Sequence, residues 1–155
     1  MKNYFHLSEF FDRGDAKYFR EHNVQQKIQA WQKRMNPIRE ALGEPITITS
    51  GVREYDPNSQ HSFKGEGALD IRPTDTGRPE LFIRLGELLV QSQAIRRVCF
   101  YPIGSNFAYG GFHIDMDSPS KVYFICDRHI VDWSPVNEDS FLFYVREEYN
   151  KEEKT

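Results

Sequence analysis

Gly111-Phe112-His113-Ile114-Asp115-Met116 decides how this chain is read. Side chains alternate along a strand, so Phe112, Ile114 and Met116 share one face while His113 and Asp115 share the other. A strand of this kind is glued to a core on one side and carries an imidazole and a carboxylate away from it on the other. Ala68-Leu69-Asp70-Ile71-Arg72 repeats the pattern, with Leu69 and Ile71 on the apolar face and Asp70 and Arg72 opposite. Ile46-Thr47-Ile48-Thr49-Ser50 alternates likewise, and residues 97–101 and 122–126 are further strand candidates. Between them, Val24, Ile28, Trp31, Met35, Ile38 and Leu42 recur at helical spacing, with Pro37 expected to bend or split the helix and Gly43 to stop it. Thr76 with Glu80, and Pro79 in the first turn, open a second helix to about Gln91, whose apolar face is Leu81, Phe82, Leu85, Leu88 and Leu89. The run from Phe141 to Val145 fits a strand or a helix. The order of elements predicts an α+β fold, a small, mostly antiparallel sheet with helices packed on one side.

A chain of 155 residues with 39% hydrophobic and 14% aromatic side chains can bury one core, so a single domain over 1–150 is expected, followed by a charged tail at 151–155. Twenty basic against 23 acidic residues leave a formal charge of −3, which speaks against a dedicated nucleic-acid binder. Cys99 and Cys126 lie in apolar runs without CxxC spacing and read as buried thiols. No stretch has the roughly 20 apolar residues of a membrane span, and residues 1–15 lack the apolar run of a secretory signal. Synthesis in the cytoplasm is therefore expected, with delivery by another route if the substrate lies outside the membrane.

Of the five histidines, His113 leaves the core beside Asp115, and His61 lies in the polar loop of residues 54–67 that precedes Asp70. Two strands and one loop can thus bring His61, Asp70 and His113 to one point. Two imidazoles and a carboxylate are the donor set of a three-ligand zinc site with an open position, the catalytic arrangement. The same residues also admit a plainer account, in which His113 is a hydrogen-bonded strand residue and Asp70 caps a turn. His6, His22 and His129 read as surface or structural residues, and Asp132 and Trp133 as the lining of a groove.

The residues Ile46 to Arg53, then Asn58-Ser59-Gln60-His61, Lys64-Gly65-Glu66-Gly67-Ala68-Leu69-Asp70-Ile71 and Phe112-His113-Ile114-Asp115 resemble, in order, the motifs of the D-Ala-D-Ala metallopeptidases of the hedgehog/DD-peptidase fold. His6-Leu7-Ser8-Glu9-Phe10-Phe11 is similar to that family's N-terminal segment, and Pro37 to Gly43 to the end of its long helix. The resemblance implies one Zn2+ held by His61, Asp70 and His113, and cleavage of D-amino-acid-containing stem peptides of bacterial peptidoglycan, as carboxypeptidase or endolysin-type endopeptidase. It implies that Arg53 faces the substrate, binding a developing oxyanion or a peptide carboxylate. Ser59, two residues before the first metal histidine, contacts substrate or steadies the turn, and Tyr101 and Tyr109 wall the cleft.

Two departures from the family pattern stand out. The family spacing His-x-x-Gly-x-Ala-x-Asp is lengthened here by two residues between His61 and Asp70, and Gly110 occupies the position of a glutamate general base. Asp115 is the expected substitute for that base, with Glu66 as second choice. The resulting expectation is a monomeric zinc peptidase of phage-lysin type that reaches the wall by a holin route. The alternative is a non-catalytic metal-binding module of the same fold, acting as a wall-peptide binder or a structural part of a phage particle. A hydrolase acting on a different amide is a third reading.

Overall fold

The structure is a computed structural model that describes residues 2–13, 20, 23–53, 61, 65–127 and 132–150. In chain order, a 3-10 turn at Leu7–Phe10 leads into β1 (Phe11–Arg13), α1 (Val24–Leu42), β2 (Ile46–Ser50), β3 (Val52–Arg53), β4 (Ala68–Pro73), α2 (Pro79–Gln91), β5 (Arg97–Tyr101), β6 (Gly111–Asp115), β7 (Val122–Cys126), β8 (Trp133–Val136) and α3 (Glu138–Asn150). Six strands form a mixed sheet of order β2-β4-β6-β5-β7-β8, and β1 pairs with β3 in a separate two-stranded ribbon. Four joins of the large sheet are antiparallel, and β5 with β7 is parallel. That exception follows from the chain path: β6 returns along one edge of β5, and the next reversal lays β7 along the other edge in the direction of β5.

Strand alternation sorts the sheet into two faces with different chemistry. Leu69, Ile71, Val98, Phe100, Phe112 and Ile114 join the helix residues Trp31, Met35, Phe82, Leu85, Leu89, Phe141 and Val145 in one buried core. Cys99, Tyr101 and Cys126 form a second, smaller cluster, against which Phe107, Phe124 and Trp133 pack. Both thiols are buried and free, as the sequence predicts.

The helix over 24–42 runs unbroken through Pro37, against the expectation of a split. Pro37 is exposed, while Met35, Asn36, Ile38 and Leu42 on either side of it are buried. Tertiary burial of the flanking turns therefore outweighs the missing backbone N–H. Gly43 takes a φ of 74° and its N–H closes the helix on the Arg39 carbonyl, as a C-terminal glycine should. The ambiguous run from Phe141 to Val145 belongs to α3. Asn137 Oδ1 accepts from the Ser140 N–H at 2.8 Å, and Glu138 and Asp139 occupy the first turn. Strand β8 has no counterpart in the sequence-based expectation; it carries Pro135 and forms the edge of the sheet, where proline is tolerated.

The end of α2 is held by one side chain. Lys121 Nζ donates to the carbonyls of Leu89, Ser92 and Ile95 at 2.6, 2.7 and 2.8 Å. Burial pushes its pKa down to about 8, with Glu138 pulling the other way, so the ammonium is still mostly charged at neutral pH. Lys121→Met leaves three carbonyls without their donor, and we expect a loss of about 2 kcal/mol, read as a lower urea midpoint at unchanged slope. A midpoint equal to that of the parent protein would show that water replaces the ammonium at no cost.

Candidate metal centre

Strands β4 and β6 pair so that Asp70 stands directly opposite His113. Both lie on the sheet face away from the helices, because Leu69, Ile71, Phe112 and Ile114 commit the other face to the core. The third group arrives from the loop before β4. His61 is buried, not exposed as the polar loop predicts. Its carbonyl accepts from the Arg53 N–H at 2.9 Å, and its Nδ1 lies 3.0 Å from the Gly51 carbonyl. A carbonyl only accepts, so Nδ1 carries a proton, which leaves Nε2, 3.4 Å from Asp70 Oδ2, as the ring nitrogen that faces the other donors.

His113 is held at both nitrogens, Nε2 by Asp115 Oδ2 at 2.8 Å and Nδ1 by Asp70 Oδ1 at 3.0 Å. The two rings meet edge to face with centroids 5.2 Å apart. One donor atom from each of His61, Asp70 and His113 lies within 4.8 Å of the others. This donor set fits a divalent cation. Two imidazole nitrogens and a carboxylate converge in a largely buried place, and the orientation of each ring is fixed by a group behind it.

Asp115 does not take the role expected of it. It is fully buried and accepts from Arg97 Nε and Nη2 at 2.9 and 2.8 Å, from the Asp117 N–H at 2.8 Å and from His113. It sits behind the imidazole, on the nitrogen that does not face Asp70, so it orients His113 and is poorly placed to accept a proton from water at the metal position. Glu66 turns elsewhere: its carboxylate is 3.7 Å from Arg34 Nη2 and its carbonyl accepts from Trp31 Nε1. A glutamate in place of Gly110 is excluded on steric grounds, since this residue has a φ of 77° and a Cβ there would collide with Tyr149 Oη. Tyr149 in turn donates to the Tyr109 carbonyl at 2.9 Å.

Beside the donors lies a cavity of about 420 Å³ whose walls include Asp70, Ser50, Arg72, Tyr101 and Tyr109. Tyr101 and Tyr109 line this cavity. Tyr101 is stacked on Phe107 at 4.4 Å and accepts from Trp133 Nε1 at 2.8 Å, while Tyr109 is half exposed. Arg53 lies in β3, outside the cavity lining, with Nη1 3.4 Å from Ser50 Oγ, which is part of that lining. Ser59, His22, His129 and the tail at 151–155 lie outside the described residues. His6 is exposed and serves the first turn of the chain.

The sequence reading misses Arg97. It pairs in register with Asp115 across β5 and β6, and its guanidinium lies 5.0 Å from the Trp133 ring. Trp133, placed along a groove by the sequence, also meets the His113 ring at 4.9 Å. The available signal was the pair of opposite charges on the polar faces of two neighbouring strands.

Burial raises the pKa of Asp70, but hydrogen bonds and charge from His113 and His61 outweigh it and hold the carboxyl at about 2. Burial lowers that of His113, and its bonds to Asp115 and Asp70 overcome this, so the net shift is upward. The stability due to Asp70 is complete above the ordinary carboxylate range and is lost as pH falls toward 2. That due to His113 is complete below the ordinary histidine range and is lost as pH rises through the raised value. The metal-free protein should therefore be most stable between about pH 4 and 6.5. A divalent cation at these donors needs neutral His113, so its binding would release the proton and tighten as pH rises. Melting curves from pH 6 to 9 should show the gap between zinc-loaded and metal-free midpoints widening; a constant gap would count against metal binding at His113.

Compared with protein-family models, curated proteins and solved structures, the chain matches none. No helix of the described residues is long and apolar enough to cross a membrane.

Proposed function

We propose that the protein is a zinc-dependent peptidase acting on D-amino-acid-containing stem peptides of bacterial peptidoglycan. The observation that carries this reading is the convergence of His61, Asp70 and His113 beside an open cavity, with His113 braced from behind by Asp115 and Arg97. The ordered resemblance of residues 46–71 and 112–115 to the D-Ala-D-Ala metallopeptidases supplies the substrate class. A bound divalent ion would supply polarisation of the scissile carbonyl and a water of lowered pKa. The chain's own residues do the rest. Gly51 fixes the tautomer of His61, Asp115 fixes that of His113, and Asp70 contributes the negative charge that favours a cation. Arg53, whose Nη1 lies 3.4 Å from the cavity residue Ser50, offers a permanent positive charge suited to charge that develops on a carbonyl oxygen.

A second reading, a metal-dependent wall-peptide binder without turnover, is favoured by one specific observation. Among the described residues, the carboxylate beside His113 is locked by Arg97, and Gly110 has no room for a side chain. Both readings are separated by incubating zinc-loaded protein with purified peptidoglycan, crosslinked and uncrosslinked, and identifying fragments by mass spectrometry beside a His113→Ala control. New fragments absent from the control are expected. Folded, zinc-loaded protein that releases none would replace the peptidase with the binder.

A further inference from the structure

Among the described residues that line the cavity Arg72 is the one cation, and the proposed chemistry does not use it. It follows Asp70 by two positions in β4 and so shares its face, about 6.6 Å along the strand. Its Nη1 donates to the Pro73 carbonyl at 2.8 Å and reaches the Thr74 carbonyl at 3.4 Å, and its Cζ lies 5.6 Å from the centre of the Tyr109 ring. Among the described residues no carboxylate pairs with it. Arg97, on the same face of the sheet, is spent on Asp115.

We infer that Arg72 and Tyr109 form a carboxylate-binding subsite next to the metal centre. Two carbonyls anchor one end of the guanidinium and an aromatic ring flanks it, while its remaining N–H groups are left to a planar, two-oxygen ligand. Arg72 and the metal ligand Asp70 line the same cavity of about 420 Å³. An extended peptide advances about 3.5 Å per residue, so the two-residue offset of Arg72 from Asp70 matches a carboxylate about two residues from a carbonyl held at His61, Asp70 and His113. The ligand chemistry is a peptide carboxylate, either the α-carboxylate of a C-terminal residue or the side chain of an acidic residue. The first makes the protein prefer free chain ends, and the second lets it act within a chain. Which bond is cut rests on the peptidase reading; the binding of a carboxylate does not.

The test uses three probes: acetyl-D-Ala-D-Ala with a free carboxylate, its C-terminal amide, and acetyl-D-Glu-D-Ala amide. Affinities come from titrating the 15N-labelled metal-free protein, in which the Arg72 Nε–Hε resonance reports its own contact, and turnover is followed separately in the zinc-loaded protein. At least one acid probe should shift that resonance and bind about tenfold or more tightly than the diamide-ended control, as expected for a charge-assisted pair. Arg72→Gln should abolish this preference and Arg72→Lys retain part of it. A preference confined to the free C-terminus assigns the α-carboxylate, and one confined to the D-Glu probe assigns the side chain. Equal binding of acid and amide probes by the parent protein, or a preference that survives Arg72→Gln, overturns the subsite. Acid preference without turnover of any probe removes the peptidase reading and leaves the subsite, and turnover without acid preference does the reverse.

Discussion

Replacing Arg97 with Met should lower the unfolding free energy by about 3–5 kcal/mol, the cost of stranding one partner of a buried ion pair. The Asp115 side chain is 1% exposed and Arg97 neutralises it with three short N–H contacts. Without the guanidinium, the carboxylate retains the Asp117 N–H and His113. His113 can substitute as a cation only when protonated, so the loss should be larger at pH 9 than at pH 6. Urea unfolding at both values checks the size and the sign of the pH effect. Arg97→Lys should recover only part of the loss, because an ammonium cannot match both carboxylate oxygens at once. A loss under 1 kcal/mol at pH 9 would mean that solvent reaches Asp115 after all.

Asp115→Asn should weaken zinc binding by about 10–100-fold, the usual effect of removing a carboxylate behind a ligating histidine. The amide has nearly the same shape, but it can turn an N–H toward His113 Nε2. The ring then favours the tautomer with its proton on Nδ1, the nitrogen that faces Asp70. The measurement is competition for zinc with a chelator of known affinity at pH 7.5, with circular dichroism to show that the variant is folded. A change below threefold would show that Asp115 serves the fold through Arg97 and has little hold on the metal ligand. His113→Ala gives the lower limit of the scale, since it removes the donor altogether.

Much of this architecture was legible because two periodicities were clean. Alternation in residues 68–72 and 111–116 placed Asp70 and His113 on one face before any pairing was known, and the helical spacing from Val24 to Leu42 and from Leu81 to Leu89 placed the covering layer. The parallel join of β5 and β7, and β8 with its Pro135, were not legible, since strand order is set by chain reversals and edge position and leaves no local mark. The donor trio was readable as residue types but not as a convergence. His61 reaches it through a backbone bond to Arg53 and a ring contact with the Gly51 carbonyl, both non-local. The role of Asp115 was misplaced for a related reason. Alternation says that it shares a face with His113, but it does not say that Arg97 on the next strand has already claimed its oxygens.

The strand order has a consequence for how the protein comes into being. Asp70 and His113 are 43 residues apart, and β6, which bears His113, slots between β4 and β5. Any fragment ending before Gly111 holds at most two of the three donors. The middle of the sheet depends on long-range pairing, which makes it slow to assemble, and a divalent ion held by these donors would act as a late clamp on that assembly. The ion would then report the completed chain: affinity for it would rise only once the last central strand is in place.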